Sequence, residues 1–392
     1  MINIYLKKKK INFFKKYKFF LICILILAFL SYLQTIFKAL DNSCDLMWHP
    51  STLFWGHVNH YQYTLDGGIL FNDCQYGQYG HLLFIILYPL TLLEWESAKI
   101  AWVGVNVFLT FIIPLYICKS NNVSFLKTAI ILIIFATSHP TRSTIFLGQN
   151  SLMILFFIML PYLSINKKYP NLSFFLAGFS YLKYSTGYVL FLNLVVEKKI
   201  KFLIFSIIPS LIGWLFYSYY TQSNLVSNFF DPFKLIFQGN YIRTSDLYSI
   251  LNLYVFEENN YLNKLAILTI ISLMNIYFLF KIKNFKDNLF KLSIICLMTL
   301  VFMPHSKYEY ILLLPLMIHS ICNLKDKINI FNFSFIIYYF YFNRIIRHWV
   351  HYEHVYDFLI FIIFFFILFL NIFHKKNILN MKTHVYKRTR SI

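Results

Sequence analysis

Charged residues are scarce in this sequence of 392 residues. Asp, Glu, Lys and Arg make up 13% of it, about half the share that is typical of soluble globular domains. Glycine (11 residues) and proline (10 residues) are also infrequent, which excludes a collagen-like or low-complexity chain. Six cysteines are too few for a disulfide-dense secreted scaffold.

Hydrophobic residues, by contrast, make up 58% of the sequence, and the formal net charge is +20. This combination excludes an ordinary soluble enzyme and indicates a chain whose solvent is lipid. The sequence has no glycine-rich phosphate loop of the Walker type, which argues against direct use of ATP. It also has no D-x-D pair of carboxylates, with which sugar-nucleotide transferases often hold a metal. We therefore expect no metal, no cofactor and no nucleic-acid partner.

Long apolar runs predict an all-α polytopic membrane protein with about twelve transmembrane helices. They lie at about 19–37, 100–118, 124–139, 147–164, 172–182, 185–196, 201–220, 264–281, 289–303, 307–323, 328–343 and 355–373. A thirteenth run, Leu82–Leu93, is too short to span and predicts an interfacial helix within a long first external loop. No small-residue cleavage site follows the first run, so we expect it to be retained.

The distribution of charge supports this topology. With Leu82–Leu93 outside the count, the predicted inner segments hold 26 of the 36 Lys and Arg residues but only 3 of the 16 Asp and Glu residues. The positive-inside rule then places both ends in the cytoplasm of a cell-membrane protein. The prediction is a basic N-terminus (1–18), one transmembrane domain (19–373) and a basic tail (374–392).

Several polar residues lie where the predicted outer face interrupts the apolar runs. Asp45 follows the first span, where a carboxylate could deprotonate a hydroxyl at the membrane surface, and Asp41 is its direct rival. Gln149 and Asn150 could hydrogen-bond sugar hydroxyls, although such residues also commonly begin helices. A lipid phosphodiester carries one charge, which basic side chains can hold without a metal. The basic candidates are Arg142, Lys183, His305 and Lys307.

Two further patterns remain open. His348, His351 and His354 recur at a spacing that could hold a metal on one helical face. The aromatic residues among them fit an interfacial belt better. Cys44 and Cys74 are the two cysteines of the first external loop, and an oxidising exterior could pair them.

The order of these features resembles the polyprenol-phosphate-dependent mannosyltransferase family of the GT-C glycosyltransferase superfamily. The resemblance covers roughly residues 19–373 and consists of short motifs. They are Asp45 followed by Gly56 and Tyr61, then Tyr79-Gly80-His81 and Tyr88-Pro89-Leu90, Gly148-Gln149-Asn150, Ala177-Gly178 with Leu182-Lys183, and Pro304-His305. The interval from Asp45 to Gly56 is shorter than is usual in that family, which keeps Asp41 as an alternative acid.

The resemblance implies a membrane hexosyltransferase with a GT-C-type helical bundle. Such an enzyme moves a hexose, mannose first, from a polyprenyl phosphate to a lipid or glycan acceptor on the outer face. Asp45 would act as general base in an inverting reaction, and His305 would contact the departing phosphate. Lys183, Arg142 and Lys307 would assist His305, while membrane lipids surround the bundle.

Two other classes of protein are alternatives. A solute or lipid-linked-sugar carrier would suit twelve spans with an interruption at Lys183. However, the halves are unequal and no Asp or Glu lies in the middle of a predicted span. An oligosaccharide polymerase or ligase would share the outer-face site, but we expect paired arginines in a large outer loop of such an enzyme.

Overall fold

The structure is a computed structural model that describes residues 23, 26–41, 43, 46–68, 79–163, 168–238, 245–255, 261–349 and 353–389. Within these ranges the regular secondary structure is helical throughout. This agrees with the all-α prediction, because a lipid solvent leaves backbone groups to be satisfied within each helix.

The helices are numbered here in chain order. The first half comprises α1 (26–41), α2 (Trp48–Trp55), α3 (His60–Leu65), α4 (Leu82–Ile86), α5 (Tyr88–Thr91), α6 (Trp95–Ser120), α7 (Phe125–Thr137), α8 (His139–Leu147), α9 (Ser151–Met159), α10 (Pro170–Ala177) and α11 (Tyr184–Val196). The second half comprises α12 (Ile200–Tyr220), α13 (Leu225–Gln238), α14 (Leu247–Tyr254), α15 (Tyr261–Ile282), α16 (Asn288–Phe302), α17 (Leu314–Cys322), α18 (Lys327–Tyr341), α19 (Asn343–Trp349) and α20 (Glu353–Thr389). Among the residues that the structure describes, three 3₁₀ helices lie at Leu160–Tyr162, Gly178–Leu182 and Lys307–Leu313.

Among the described residues, four helices are long and apolar enough to cross a membrane. They are Trp95–Ser120, Ile200–Tyr220, Leu262–Ile282 and Val355–His374. Helices α7 and α8 make a fifth crossing if they count as one span bent by 52°. A proline explains one break in a predicted apolar run. Pro140 follows the break between α7 and α8 at Ser138, because a proline ring cannot continue the preceding helix. The structure thus supports a polytopic membrane protein, while the count of twelve stays a prediction.

The short run Leu82–Leu93 forms two helices, α4 and α5, instead of the single helix expected. Neither exceeds five residues, so neither could span a bilayer. Helix α4 packs against α12 at Gly213, where an added Cβ would lie 2.6 Å from the Cβ of Leu82. A glycine at this position therefore allows the two backbones to approach closely.

Helix α16 lies at the centre of the bundle. All its residues from Leu289 to Phe302 are buried, although most helices at a surface expose one face. Its 15 residues give it a length of roughly 22 Å. Asp287 caps the beginning of α16, and the segment that leads to His305 leaves its end. The two ends of this helix therefore define two separate polar regions of the protein.

Candidate functional site

The segment after α16 turns sharply into the 3₁₀ helix Lys307–Leu313. Ser306 begins this helix with a capping box, in which the Ser306 side chain accepts from the backbone of Glu309. In return, the Glu309 carboxylate accepts from the backbone N–H of Ser306 at 2.8 Å. The reciprocal pair satisfies two backbone donors and holds Glu309 inside the bundle, where its side chain is 1% exposed.

Lys183 forms an ion pair with this buried carboxylate. It lies between the 3₁₀ helix Gly178–Leu182 and α11, and its ammonium contacts Oε1 of Glu309. The same ammonium lies 5.3 Å from the ring centroid of Tyr308 and 5.9 Å from that of Tyr79. One carboxylate and two aromatic faces therefore surround the cation, which is an arrangement that stabilises a charge with little water.

Tyr79 connects the Lys183 region to the segment that contains Gln149. Its hydroxyl donates to Oε1 of Gln149 at 3.2 Å, and its carbonyl accepts from the Tyr61 hydroxyl at 2.6 Å. The next residue, Gly80, donates its backbone N–H to the carbonyl of Leu182 at 2.8 Å. Gln149 and Lys183 therefore both lie close to one tyrosine.

The turn at Gly148 fixes the positions of Gln149 and Asn150. Gly148 ends α8 in the left-handed conformation (φ 74°), and its carbonyl accepts from Nε1 of Trp102 at 2.8 Å. An added Cβ would lie 2.4 Å from Oγ of Ser43, so both the backbone conformation and the space favour glycine.

Asn150 is fully buried beside this turn. Within the described part of the chain, neither its side-chain oxygen nor its nitrogen has a hydrogen-bond partner. A buried amide without partners costs free energy. It is therefore a candidate for contact with a ligand hydroxyl.

His305 meets a second buried carboxylate. Its Nδ1 lies 3.8 Å from Oδ2 of Asp246 and 3.1 Å from the carbonyl oxygen of Met303. Its ring packs edge-on against Tyr310 with the centroids 4.9 Å apart. Asp246 begins α14, and its two oxygens accept from the backbone and the hydroxyl of Ser249. Burial raises the pKa of Asp246 from 3.8 to about 8, and the nearby Glu309 adds to this rise.

The site is therefore a polar cluster at one end of an apolar bundle. It consists of Tyr79, Gln149, Asn150, Lys183, Asp246, His305 and Glu309. Buried ionisable residues of membrane proteins usually carry function, because hydrocarbon surroundings make them costly. Within the described ranges, no group of three or more His, Cys, Asp and Glu residues is arranged to hold a metal ion.

The sequence model of glycosyltransferase family 87 matches residues 78–304, which is more than half of the chain. The chain belongs to glycosyltransferase family 87. Comparison with curated proteins and with solved structures finds no match in either set. Family membership and the apolar helices together make this protein a membrane glycosyltransferase.

The match to family 87 includes most of the predicted site residues. Arg142, Gln149, Asn150 and Lys183 lie inside it, whereas Asp45 precedes it and His305 follows it by one residue. The structure brings Gln149, Lys183 and His305 to one end of the bundle through the contacts described above.

Asn150 lies in the same cluster, and Lys307 begins the 3₁₀ helix that carries Glu309. The other candidates of this family 87 glycosyltransferase have separate contacts or lie outside the described residues. Nε of Arg142 donates to Oγ1 of Thr35 on α1 at 2.8 Å. Lys307 is half-buried, and Asp41 is exposed at the end of α1. Asp45 lies outside the described residues, as do Cys44 and Cys74. The same holds for His351 and for the side chains of His348 and His354.

Sequence reasoning missed Glu309 and Asp246, which are the partners of the two central basic residues, Lys183 and His305. Glu309 and Asp246 each lie in a short sequence pattern that could have been recognised. Ser306 and Glu309 have the spacing of a capping box just before an apolar run. Asp246 precedes Ser249 by three residues at the start of another apolar stretch, which is the pattern of an N-cap. These signals identify helix beginnings, but they give no information about contacts across the bundle.

A separate cavity of about 700 Å³ lies at the opposite end of α16. It is lined by Lys127, Asp287, His319, Asp326, Asn329, Asn371 and His374, among others. Each of its carboxylates faces a histidine: Asp287 lies 3.5 Å from His319, and Asp326 lies 3.4 Å from His374. This region is distinct from the polar cluster around Lys183 and His305.

Proposed function

We propose that this protein transfers a hexose, mannose first, from a polyprenyl phosphate to a lipid or glycan acceptor on the outer face of the cell membrane. The observation that carries the proposal is that two basic residues, Lys183 and His305, belong to the same polar cluster as Gln149 in an otherwise apolar bundle. A phosphate with a sugar and a lipid tail matches this combination of charge, hydrogen-bonding groups and apolar surroundings. The GT-C-type architecture belongs to the same proposal.

The reaction that we propose is an inverting displacement at the anomeric carbon. Asp45 takes the proton of the acceptor hydroxyl, whose oxygen bonds to the anomeric carbon from the face opposite the phosphate. The bond between that carbon and the phosphate oxygen breaks, and the electron pair leaves with the polyprenyl phosphate. No metal is needed, because basic side chains can stabilise the added negative charge.

His305 is the residue that we assign to the departing phosphate. Lys183 adds a second positive charge, and the ion pair with Glu309 determines where that charge lies. Arg142 and Lys307 assist in this proposal, while Gln149 and Asn150 bind sugar hydroxyls. The side of the membrane follows from the charge segregation in the sequence, which puts the basic termini inside.

The test uses purified protein in liposomes with a radiolabelled polyprenyl-phosphate hexose and an extract of the host's lipids and glycans. The wild type should move label to a new product. Asp45→Asn should reduce the rate by about 100-fold or more, because general base catalysis typically contributes that much. His305→Ala should also lose most of the activity.

Two matched variants sharpen the outcome. Asp41→Asn tests the neighbouring acid. If Asp41→Asn abolishes transfer and Asp45→Asn does not, the proposed reaction stands and Asp41 is the general base. Asp66→Asn is the control, since Asp66 ends α3 and accepts from Gln62 away from the cluster. If the folded wild type transfers no hexose from a polyprenyl phosphate but moves a solute across the membrane, the protein is a carrier and the transferase proposal is wrong.

A further inference from the structure

Asp246 and His305 approach each other although they are far apart in sequence. Asp246 caps the beginning of α14, and His305 follows the end of α16. The closest atoms are Oδ2 of Asp246 and Nδ1 of His305, at 3.8 Å, and both side chains are 1% exposed. A buried carboxyl beside a buried imidazole is costly unless each has a partner or a task.

The contacts of His305 determine which ring nitrogen carries its hydrogen. Nδ1 faces two oxygens, the carbonyl of Met303 at 3.1 Å and the carboxyl of Asp246 at 3.8 Å. Because a carbonyl oxygen only accepts, Nδ1 is the nitrogen that donates in the neutral ring. Nε2 is then the nitrogen that gains or loses a proton. The edge-on contact with Tyr310 fixes the plane of the ring.

Asp246 is itself held in place. Its Oδ1 accepts from the backbone N–H of Ser249 at 2.8 Å, and its Oδ2 accepts from the Ser249 hydroxyl at 2.9 Å. These two hydrogen bonds hold the carboxyl group beside His305. Among the described residues, the titratable groups that act electrostatically on Asp246 include Tyr248, Glu309 and Tyr310, and Glu309 is paired with Lys183. The backbone N–H of His305 also donates to the Asp246 carboxylate.

We infer that Asp246 is a positioning residue that orients His305 and stabilises its imidazolium form when an anionic donor phosphate binds. This inference rests on the proposed role of His305. At rest the pair is neutral, because the elevated pKa of Asp246 (about 8) leaves a proton on its carboxyl near neutral pH. When the phosphate arrives, His305 takes a proton at Nε2 and Asp246 releases one to solvent. The total charge of the pair does not change.

The arrangement separates two tasks. We assign the contact with the phosphate to Nε2 of His305, while the Asp246 carboxylate balances the positive ring from the Nδ1 side. Without the carboxylate, a protonated imidazole in an apolar bundle would be destabilised, and its pKa would fall. Donor binding and the pH dependence of transfer should therefore both change when Asp246 loses its ability to ionise.

The test compares Asp246→Asn with wild type in the liposome transfer assay between pH 5.5 and pH 9. The asparagine oxygen can still accept from the Ser249 backbone, so we expect the variant to fold. The KM for polyprenyl-phosphate hexose should rise about tenfold. The alkaline limb of kcat/KM, which reports the essential acid of the free enzyme, should move to lower pH by about one unit. A purely structural role would lower activity equally at all pH values.

A second variant covers the case in which Asp246→Asn does not fold. Ser249→Ala removes the hydroxyl that holds Oδ2, and it should shift KM and the pH limb in the same direction but less. A double variant with His305→Ala checks the coupling: once His305 is absent, Asp246→Asn should have no further effect on KM.

Asp287→Asn is the matched control. Asp287 faces His319 at 3.5 Å at the other end of α16, so it gives an Asp–His contact away from the site, with a carboxylate that is 40% exposed. Its KM and pH profile should equal those of wild type. A folded Asp246→Asn with the wild-type KM and pH profile would overturn this inference while leaving the transferase intact. Absence of transfer by wild type would instead overturn the proposed function.

Discussion

Lys183 and Glu309 form an ion pair that joins the start of α11 to the 3₁₀ helix after α16. The Glu309 side chain is 1% exposed and that of Lys183 is 19% exposed, so water contributes little to either charge. Removal of one partner from such a pair leaves an uncompensated buried charge. This pair is therefore both a structural link and the means by which a cation is kept in the polar cluster.

We predict that Glu309→Gln lowers the free energy of unfolding by about 3 kcal/mol, because it leaves the Lys183 ammonium buried without its carboxylate. The double variant Lys183→Met/Glu309→Gln should recover much of this loss but bind the donor more weakly. Thermal unfolding in detergent measures stability, and donor KM measures binding. Glu96→Gln is the control, since Glu96 pairs with Lys99 but is 72% exposed, and it should cost under about 1 kcal/mol. Equal losses of stability in Glu309→Gln and Glu96→Gln would contradict the prediction.

Asn150 should separate stability from activity. Its buried amide has no hydrogen-bond partner in the part of the chain that the structure describes. Asn150→Leu therefore replaces an unpaired polar side chain with an apolar side chain of similar size. We expect unchanged or slightly higher thermal stability, by up to about 2 kcal/mol, together with a large loss of transfer. Asn332→Leu is the comparison, because the side-chain amides of Asn332 and Asn371 donate hydrogen bonds to each other, at 2.9 and 3.2 Å. That variant should be less stable. Destabilisation by Asn150→Leu of the same size would assign Asn150 a structural role.

Gly148→Ala should disturb the turn that positions Gln149 and Asn150. Alanine pays roughly 1–2 kcal/mol for the left-handed conformation, and its Cβ would also displace Ser43. We expect a lower melting temperature and reduced transfer. Gly104→Ala is the control, since nothing lies within 4 Å of a Cβ added there in the middle of α6. Alanine at position 104 should be neutral or slightly stabilising. A melting temperature unchanged by Gly148→Ala would show that the turn tolerates a side chain.

Asp246 predicts a specific dependence of stability on pH. Its pKa is about 8 in the folded protein and 3.8 ordinarily, so the folded state binds more protons between these values. The free energy of unfolding should therefore fall as pH rises from about 4 to about 8 through this group. Asp246→Asn should remove that contribution and stabilise the protein most at the alkaline end. Thermal unfolding of both proteins from pH 5 to pH 8.5 checks this. Parallel curves would contradict it.

Four of the twelve predicted spans coincide with helices that are long and apolar enough to cross a membrane, because hydropathy is a local property. The run at 264–281 lies within α15, the run at 201–220 within α12, and the run at 355–373 within α20. The short run Leu82–Leu93 was also correctly excluded as a span. Local composition did not reveal the bend at Ser138 or the division of that short run, because each depends on how the chain turns at single residues.

The basic residues of the site were recognisable in the sequence, since Lys183 and His305 interrupt apolar runs. Their partners were not, because neighbours in sequence gave no guide to neighbours in space. Glu309 lies two residues from Lys307, yet it pairs with Lys183. Tyr79 also lies close to Lys183 although it belongs to a distant segment. A backbone hydrogen bond from Gly80 to Leu182 holds the two segments together.

The sequence by itself determined that this chain is a helical membrane protein, since a lipid solvent selects long apolar helices from composition alone. The sequence also matches the model of glycosyltransferase family 87 over residues 78–304, while the resemblance to the mannosyltransferases stays a prediction. The tertiary structure alone decided that Glu309 holds Lys183 and that Asp246 faces His305. The physical reason is that a buried charge takes its partner from whichever segment packs against it, and packing around α16 joins segments that the sequence keeps far apart.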